Sequence, residues 1–191
     1  MTILITGGTG FIGSEVVRML LKRGEQRPVV FHASGNARRL ADVLEQVELI
    51  TGDLANFSHV LDAVKRVRPD VIYHLGAMLS TPSDADPAAA MQTNVMGTFH
   101  VLEAARLFAV PQVLFSSSIS TYALDIAGEV VDDATIQRPL QFYGATKLFG
   151  EHLGLFYKRR YSLDFRGVRY PSTVGPGVKT PGAMQYTSWM N

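Results

Sequence analysis

The sequence contains no cysteine and almost no imbalance of charge. Without cysteine the chain has no disulfide framework, no thiolate nucleophile and no zinc or iron–sulfur site built on sulfur. The 18 Lys and Arg residues against 17 Asp and Glu residues give a formal net charge of +1. This balance does not favour nucleic acid or an anionic membrane surface as a partner. We therefore expect a small-molecule substrate and no metal site.

Long apolar runs are also missing. No run approaches the length needed to span a bilayer, and Met1 leads directly into a strand pattern rather than into a basic and apolar leader. We expect a cytoplasmic protein that does not insert into membranes. With 191 residues and 47% hydrophobic content, the chain can build one domain with a well-formed core.

A regular alternation of strand and helix patterns runs along the chain. Short apolar runs predict six strands, at residues 2–6, 29–31, 47–50, 70–75, 113–115 and 164–169. Helical spacing predicts helices between them, over residues 11–23, 58–68, 87–108 and 143–160. Because each parallel crossover needs a helix to return the chain, this order predicts an α/β fold with a doubly wound parallel sheet. In the last helix we expect Leu148, Leu155 and Phe156 to face inward.

A glycine-rich loop separates the first predicted strand from the first helix. Gly8, Gly10 and Gly13 fit the pattern G-x-G-x-x-G, and Gly7, Gly10 and Gly13 fit the wider G-x-x-G-x-x-G. In this position, backbone N–H groups and the helix dipole can hold a pyrophosphate. The loop therefore predicts a dinucleotide site, and an ordinary glycine-rich turn is the alternative.

The usual signal for the adenosine end of a dinucleotide is absent. An acid should end the second strand and bind the adenosine ribose, but this chain has His32 and Ala33 there. Arg38 and Arg39 follow and can pair with a 2′-phosphate, which would favour NADP, or they can begin a solvated helix. Asp53, just after the third strand, can accept from the adenine amino group or can cap a helix.

A tyrosine and a lysine lie four residues apart in the last predicted helix. At this spacing Tyr143 and Lys147 share one helix face. A tyrosine has an ordinary pKa of about 10, and a fixed cation beside it favours the phenolate that a base requires. Ser116, Ser117 and Ser118 follow the fifth strand, at the edge where such sheets bind ligands. A surface contact for the pair and a polar turn for the serines are the alternatives.

Taken together, these motifs resemble those of the extended short-chain dehydrogenase/reductases, in the NAD-dependent epimerase/dehydratase family. The similarity extends over essentially all 191 residues. Seven motifs in the family's order carry it, at residues 6–13, 52–54, 73–77, 94–98, 116–118, 143–147 and 169–171.

The resemblance assigns roles to individual residues. It implies that Tyr143 is the acid or base, that Lys147 modulates it and binds ribose, and that Ser118 binds the substrate hydroxyl. Two interpretations of Asn94 stay open: its side chain stabilises a helix, or it contacts the cofactor. The residues implied to line the dinucleotide are Gly7, Gly10, Phe11, Ile12, Gly13, Asp53, Leu54, Leu75, Gly76, Ala77, Asn94, Tyr143, Lys147 and Tyr170.

The resemblance also implies a cofactor and a domain organisation. The cofactor is expected to be NAD, with NADP possible because the NAD-selecting acid is absent. Residues 1–170 are interpreted as a dinucleotide-binding Rossmann domain, and residues 171–191 as the beginning of a substrate-binding portion. We expect a homodimer.

Two enzymatic functions stay open. The first is hydride transfer at a hydroxyl-bearing carbon of a nucleotide sugar, as in the epimerases, and we expect this one. The alternative is a dehydrogenase of a small hydroxy compound such as L-threonine, which residues 73–80 also resemble, with Ser80 as a candidate substrate contact. Dehydratases carry an Asp-Glu pair after the catalytic hydroxyl residue, where this chain has Ile119 and Ser120. A dinucleotide sensor without turnover would be expected to lose Tyr143 or Lys147.

Overall fold

Six strands form one parallel sheet, and the four shorter ones are rich in β-branched and aliphatic residues. The strands are β1 (Ile3–Thr6), β2 (Val29–His32), β3 (Glu48–Thr51), β4 (Val71–His74), β5 (Gln112–Ser118) and β6 (Asp164–Tyr170). Their spatial order is β3-β2-β1-β4-β5-β6. This is the strand order of the dinucleotide-binding Rossmann fold, so the predicted doubly wound sheet is confirmed.

The structure is a computed structural model and describes residues 1–25, 27–33, 36–122, 130–132 and 134–175. Its α-helices are α1 (Phe11–Lys22), α2 (Phe57–Val67), α3 (Ser80–Ala85), α4 (Pro87–Ala90), α5 (Gly97–Leu107) and α6 (Phe142–Tyr161). Short 3₁₀ turns cover Arg38–Leu40, Leu44–Gln46 and Ile119–Thr121. A π-helical turn, Met91–Met96, joins α4 to α5. The single helix predicted over residues 87–108 is therefore interrupted by this turn, and α3 was not predicted.

The sheet has a core on each face because its central strands are buried on both sides. Leu4 and Phe31 belong to the core on the α2 and α5 face. Ile5 and Val30, one residue along each strand, pack with Val17 of α1 on the opposite face. The alternation of side chains along β2 thus places His32 on the α1 face, the same face as Val30.

The prediction for the inward face of α6 was wrong. Leu155 and Phe156 are 41% and 47% exposed, and Leu148 is only partly buried. The buried positions of this helix are mostly small or polar residues.

Aromatic rings of the sheet explain this orientation of α6. A Cβ atom on Gly150 would lie 2.6 Å from the Phe115 ring, and one on Gly154 would overlap the Phe165 ring. Two glycines therefore let the helix backbone settle onto the rings of β5 and β6, and the larger apolar side chains face outward.

Three further expectations concern membrane-spanning helices, metal sites and the predicted substrate-binding portion. Among the described residues, no helix is long and apolar enough to cross a membrane. No group of three His, Asp or Glu side chains in the same ranges could hold a metal ion. Of the predicted substrate-binding portion, residues 171–175 are described and residues 176–191 lie outside the described residues.

Candidate active site

A cleft with a cavity volume of about 470 Å³ opens at the carboxyl ends of the strands. It lies across β1 and β4, where the strand order reverses direction and where open α/β sheets bind their ligands. Of the residues to which the family resemblance assigns a catalytic or dinucleotide-binding role, all but one line it: Gly7, Gly10, Phe11, Ile12, Gly13, Asp53, Leu54, Leu75, Gly76, Ala77, Ser118, Tyr143, Lys147 and Tyr170. The exception is Asn94.

The floor of the cleft at β1 is built from backbone. Gly7 has a φ of +70°, and a Cβ there would lie 2.6 Å from the Cα of Gly76. A Cβ on Gly13 would overlap the carbonyl oxygen of Gly7 and lie 2.6 Å from the Cα of Gly8. No side chain caps α1 at Gly10, so the first N–H groups of this helix are available to an anion.

A chain of buried hydrogen bonds supports this backbone from below. Thr98 Oγ1 donates to the Asn94 carbonyl oxygen at 2.6 Å, so it must accept from His74 Nε2 at 3.1 Å. His74 Nδ1 then accepts from Thr6 Oγ1 at 2.7 Å, and Thr6 Oγ1 accepts from the Gly76 N–H at 3.2 Å. Burial, with the positive charge of Lys147, lowers the pKa of His74 to about 3. The ring is therefore neutral, and its tautomer is set by its two threonine partners.

Asn94 lies under the cleft. Its Oδ1 accepts from the Met78 N–H at 2.7 Å, and its Nδ2 donates to the Met78 carbonyl at 3.1 Å and to Thr146 Oγ1 at 3.2 Å. These bonds use both amide donors and the amide acceptor. Of the two interpretations left open for Asn94, the structure supports the structural one: the side chain ties the loop after β4 to α6.

Ser118 and Tyr143 meet at the other end of the cleft. Ser118 ends β5, Tyr143 lies in the first turn of α6, and both side chains line the cleft. Ser118 Oγ donates to Ser120 Oγ at 3.1 Å. Burial raises the pKa of Tyr143 to about 12, although the neighbouring Ser118 hydroxyl acts in the opposite direction. The pKa therefore shifts upward, whereas the spacing to Lys147 predicted a downward shift.

The state of Lys147 explains that difference. The side chain is 3% exposed, and its Nζ donates to the Ser116 carbonyl at 2.7 Å while lying 5.6 Å from the centre of the Tyr143 ring. Burial lowers the pKa of Lys147 to about 7. At neutral pH the amine carries only part of a charge, so it stabilises the phenolate less than a permanent cation would.

The three serines have separate tasks. The Ser116 carbonyl holds Lys147, and Ser117 Oγ donates to Glu151. Ser118 lines the cleft next to Tyr143. That the third serine holds a substrate hydroxyl stays a prediction.

An ion pair beside the serines was not predicted. Arg169 donates from Nε and Nη2 to the two carboxylate oxygens of Glu151, at 2.9 and 2.8 Å. The same guanidinium group donates to the Tyr122 hydroxyl, and Gln137 Nε2 donates to Glu151 at 3.2 Å. Burial alone would raise the pKa of Glu151, but hydrogen bonds from Arg169, Ser117 and Gln137 outweigh it and lower the pKa. The motif at residues 169–171 was the only sequence signal for this pair.

The end of the cleft beside β2 and β3 contains the residues that the sequence analysis considered for binding the adenosine. Asp53 Oδ1 accepts from the Ala55 N–H at 2.9 Å, while the cap of α2 is Asn56. Arg39 lies with its guanidinium carbon 5.5 Å from the centre of the Phe11 ring, which lines the cleft. His32 also lines the cleft, and its buried Nδ1 has no hydrogen-bond partner among the residues that the structure describes.

The fold and the site together define the class of the protein. A glycine cradle at β1, a Ser118–Tyr143 pair and a buried Lys147 in one Rossmann cleft are the features of a short-chain dehydrogenase/reductase of the extended type.

Comparison with known sequences supplies the family. Residues 3–190 match the model of the NAD dependent epimerase/dehydratase family, so the chain belongs to that family. It is 33% identical over 201 residues to D-erythronate dehydrogenase of Cupriavidus necator, covering 98% of this chain and 60% of that protein. It is 34% identical over 179 residues to UDP-glucose 4-epimerase of Streptococcus mutans, covering 92% of this chain and 53% of that protein.

Solved structures give the same two groups of relatives. UDP-glucose 4-epimerase of Thermus thermophilus, solved in complex with NAD, matches with a TM-score of 0.85 and 31% identity, over 96% of this chain and 59% of that one. The holo form of a GalE-like L-threonine dehydrogenase from Cupriavidus necator matches with a TM-score of 0.87 and 26% identity, over 98% of this chain and 60% of that one. This chain therefore spans about three fifths or less of the length of these relatives.

NAD is the cofactor of this family, and the cleft fits it. The glycines leave room for a pyrophosphate against backbone N–H groups, where a Cβ would fill the space. At the adenosine end, a buried ring nitrogen of His32 has no partner within the described residues. At the opposite end, Tyr143 and Lys147 face the same cavity.

Proposed function

We propose that the protein oxidises a hydroxyl-bearing carbon with NAD, and that its substrate is a small hydroxy compound. The observation that carries this proposal is that Ser118, Tyr143 and the buried Lys147 line the cavity that also contains the glycine cradle. An acid–base group beside a dinucleotide site supports hydride transfer more directly than binding alone.

The residues divide the proton chemistry among them. Ser118 binds the substrate hydroxyl oxygen, and Tyr143 removes its proton. Lys147, fixed by the Ser116 carbonyl, stabilises the phenolate when its amine is protonated. The burial of Lys147 keeps its amine away from water. When bound, NAD supplies the acceptor for the hydride that leaves the same carbon.

Two substrate classes have specific support. The small hydroxy compounds are supported by two similarities. The sequence similarity to D-erythronate dehydrogenase covers 98% of the chain. The structural similarity to a GalE-like L-threonine dehydrogenase also covers 98% of the chain. A nucleotide sugar, the substrate that we expected from the sequence, is the second candidate. Its support is the 34% identity to a UDP-glucose 4-epimerase over 92% of the chain.

The homodimer and the cytoplasmic location stay predictions. The dimer has support from the outward face of α6, where Phe149, Leu155 and Phe156 are each more than 40% exposed. Apolar side chains of this size on one helix are usually covered by a partner. A second copy of the chain is the partner that we propose.

The fate of the cofactor separates the two candidate reactions. An epimerase returns the hydride to the same substrate, so it gains by retaining its nicotinamide, whereas a dehydrogenase must release the reduced cofactor after each turnover. The experiment is to purify the full-length protein, denature it, measure dinucleotide in the supernatant, and assay reduction of added NAD with L-threonine and D-erythronate.

We expect a protein without retained dinucleotide that reduces NAD with a small hydroxy compound. Stoichiometric retained NAD, no net reduction of added cofactor and interconversion of UDP-sugars would contradict the dehydrogenase and support the epimerase. A protein that binds NAD and turns over neither class would contradict both.

A further inference from the structure

His32 is an unusual residue at the end of β2. It is 5% exposed, and its backbone carbonyl accepts from the Gly52 N–H at 2.9 Å. Its ring makes no hydrogen bond with the described residues, and Nδ1 is fully buried without a partner. No other buried side-chain nitrogen or oxygen in the described part of the chain is left in this state. Since buried polar atoms are almost always paired, the orphaned nitrogen calls for a partner, and because it is inaccessible here, a ligand in the cleft can reach it only when the ring turns.

The place of His32 in the fold indicates that partner. The residue lies at the carboxyl end of β2, on the face of the sheet where α1 begins, and it lines the cleft beside Gly52 and Asp53. In Rossmann folds an acid about 20 residues beyond the glycine loop holds the hydroxyls of the adenosine ribose. His32 stands 19 residues after Gly13, at that position.

We propose that His32 binds the adenosine ribose of the dinucleotide in place of this acid, and that it discriminates only weakly between a 2′-hydroxyl and a 2′-phosphate. This inference concerns the cofactor of the family and does not depend on which substrate is oxidised.

The chemistry of the ring accounts for the weak discrimination. A carboxylate accepts from the ribose hydroxyls and repels a 2′-phosphate by its charge. A neutral imidazole offers one donor and one acceptor and carries no charge. Burial lowers the pKa of His32, which keeps the ring in this neutral form. The ring can therefore bind a hydroxyl without excluding a phosphate.

Calorimetric titration with NAD and NADP tests both parts of the proposal. For the wild type we expect dissociation constants for the two dinucleotides within about tenfold of each other. His32→Phe keeps an aromatic ring and removes both nitrogens, so it should weaken NAD binding by about tenfold through the lost hydrogen bond. The same variant without ligand should unfold at a higher temperature than the wild type, because the orphaned nitrogen is gone.

His32→Asp restores the acid and sharpens the comparison. It should keep NAD affinity within about threefold of the wild type and weaken NADP binding by at least about thirtyfold, because the phosphate meets a like charge. His152→Phe makes the same exchange at an exposed histidine on α6 and should leave both dissociation constants unchanged. ADP-ribose replaces NAD in a parallel titration, which restricts the readout to the adenosine half.

Three outcomes would overturn the proposal. NAD and ADP-ribose binding by His32→Phe at wild-type affinity would show that the ring does not touch the ribose. NADP binding by His32→Asp as tight as that of the wild type would remove the specificity role. Rejection of NADP by the wild type more than about a hundredfold would contradict weak discrimination. If His32→Phe does not fold, His32→Asn takes its place, and it should retain part of the affinity through its amide.

Discussion

The two halves of the sheet build the cleft in different ways. Around β1 and β2 the cleft is made of backbone: Gly7 and Gly13 bring main-chain atoms close together, and α1 begins without a side-chain cap. Around β5 and β6 it is lined by polar side chains, among them Ser117, which donates to Glu151 of the Glu151–Arg169 pair. The first half is therefore suited to holding a phosphate-containing cofactor of fixed shape, and the second half to placing groups that exchange protons.

This difference predicts how a substitution in each half affects NAD binding and stability. A backbone cradle tolerates no added atom, because main chain cannot move aside as a flexible side chain can. A side-chain network can lose one member and still keep the fold, at a cost that depends on which charge remains without a partner.

The largest expected effect on NAD affinity is that of Gly13→Ala in the backbone half. The added Cβ would overlap the carbonyl oxygen of Gly7 and lie 2.6 Å from the Cα of Gly8. We expect NAD affinity to fall by about a hundredfold and the free energy of unfolding to fall by about 1–3 kcal/mol. Calorimetric titration and urea unfolding measure these changes.

Gly167→Ala is the matched control in the second half. Its nearest neighbours would be 3.9 Å from the added Cβ, which is ordinary van der Waals contact. The control should bind NAD as the wild type does. Normal NAD binding by Gly13→Ala would mean that the loop of residues 7–13 does not hold the cofactor closely.

Arg169→Met should have an intermediate effect, in the side-chain half. Of the partners of the half-buried Glu151 carboxylate in the described part of the chain, it leaves Ser117 and Gln137. We expect the free energy of unfolding at pH 7 to fall by about 1–3 kcal/mol. Glu151→Gln, which removes the charge along with the pairing, should cost less when measured by the same urea unfolding.

The pH dependence of these variants has a definite sign. Because the pKa of Glu151 in the folded protein is below the ordinary 4.5, its stabilising contribution is present above pH 4.5 and is lost as the pH falls through the folded value. Part of the wild-type loss of stability below pH 4.5 should therefore be absent in Glu151→Gln. Identical acid profiles for the two proteins would show that the ion pair contributes nothing to stability.

The same contrast explains what could be predicted from the sequence. The parallel sheet, the glycine loop and the residue types of the site are local patterns, since a strand, a turn and a helix follow each other within residues 2–23. The Glu151–Arg169 pair and the hydrogen bonds of His74 join residues that are far apart in the chain. Local periodicity carries no information about such partners.

Two other differences have the same origin. The inward face of α6 was predicted from its large apolar residues, but Gly150 faces the sheet because the Phe115 ring occupies the space there. The pKa of Tyr143 was expected to fall because Lys147 lies one turn away, but the burial of both groups determines their pKa values. Burial depends on the packing of the whole domain and cannot be inferred from a four-residue spacing.

The most direct test of the central claim, that backbone holds the cofactor and side chains perform the chemistry, is the NAD affinity and turnover of Tyr143→Phe. Calorimetric titration should give a dissociation constant within about threefold of the wild type. Turnover of the substrate found in the cofactor-release assay should fall by about two to four orders of magnitude, the usual scale of general acid–base catalysis. Near-normal turnover, or a loss of affinity as large as that of Gly13→Ala, would contradict the claim.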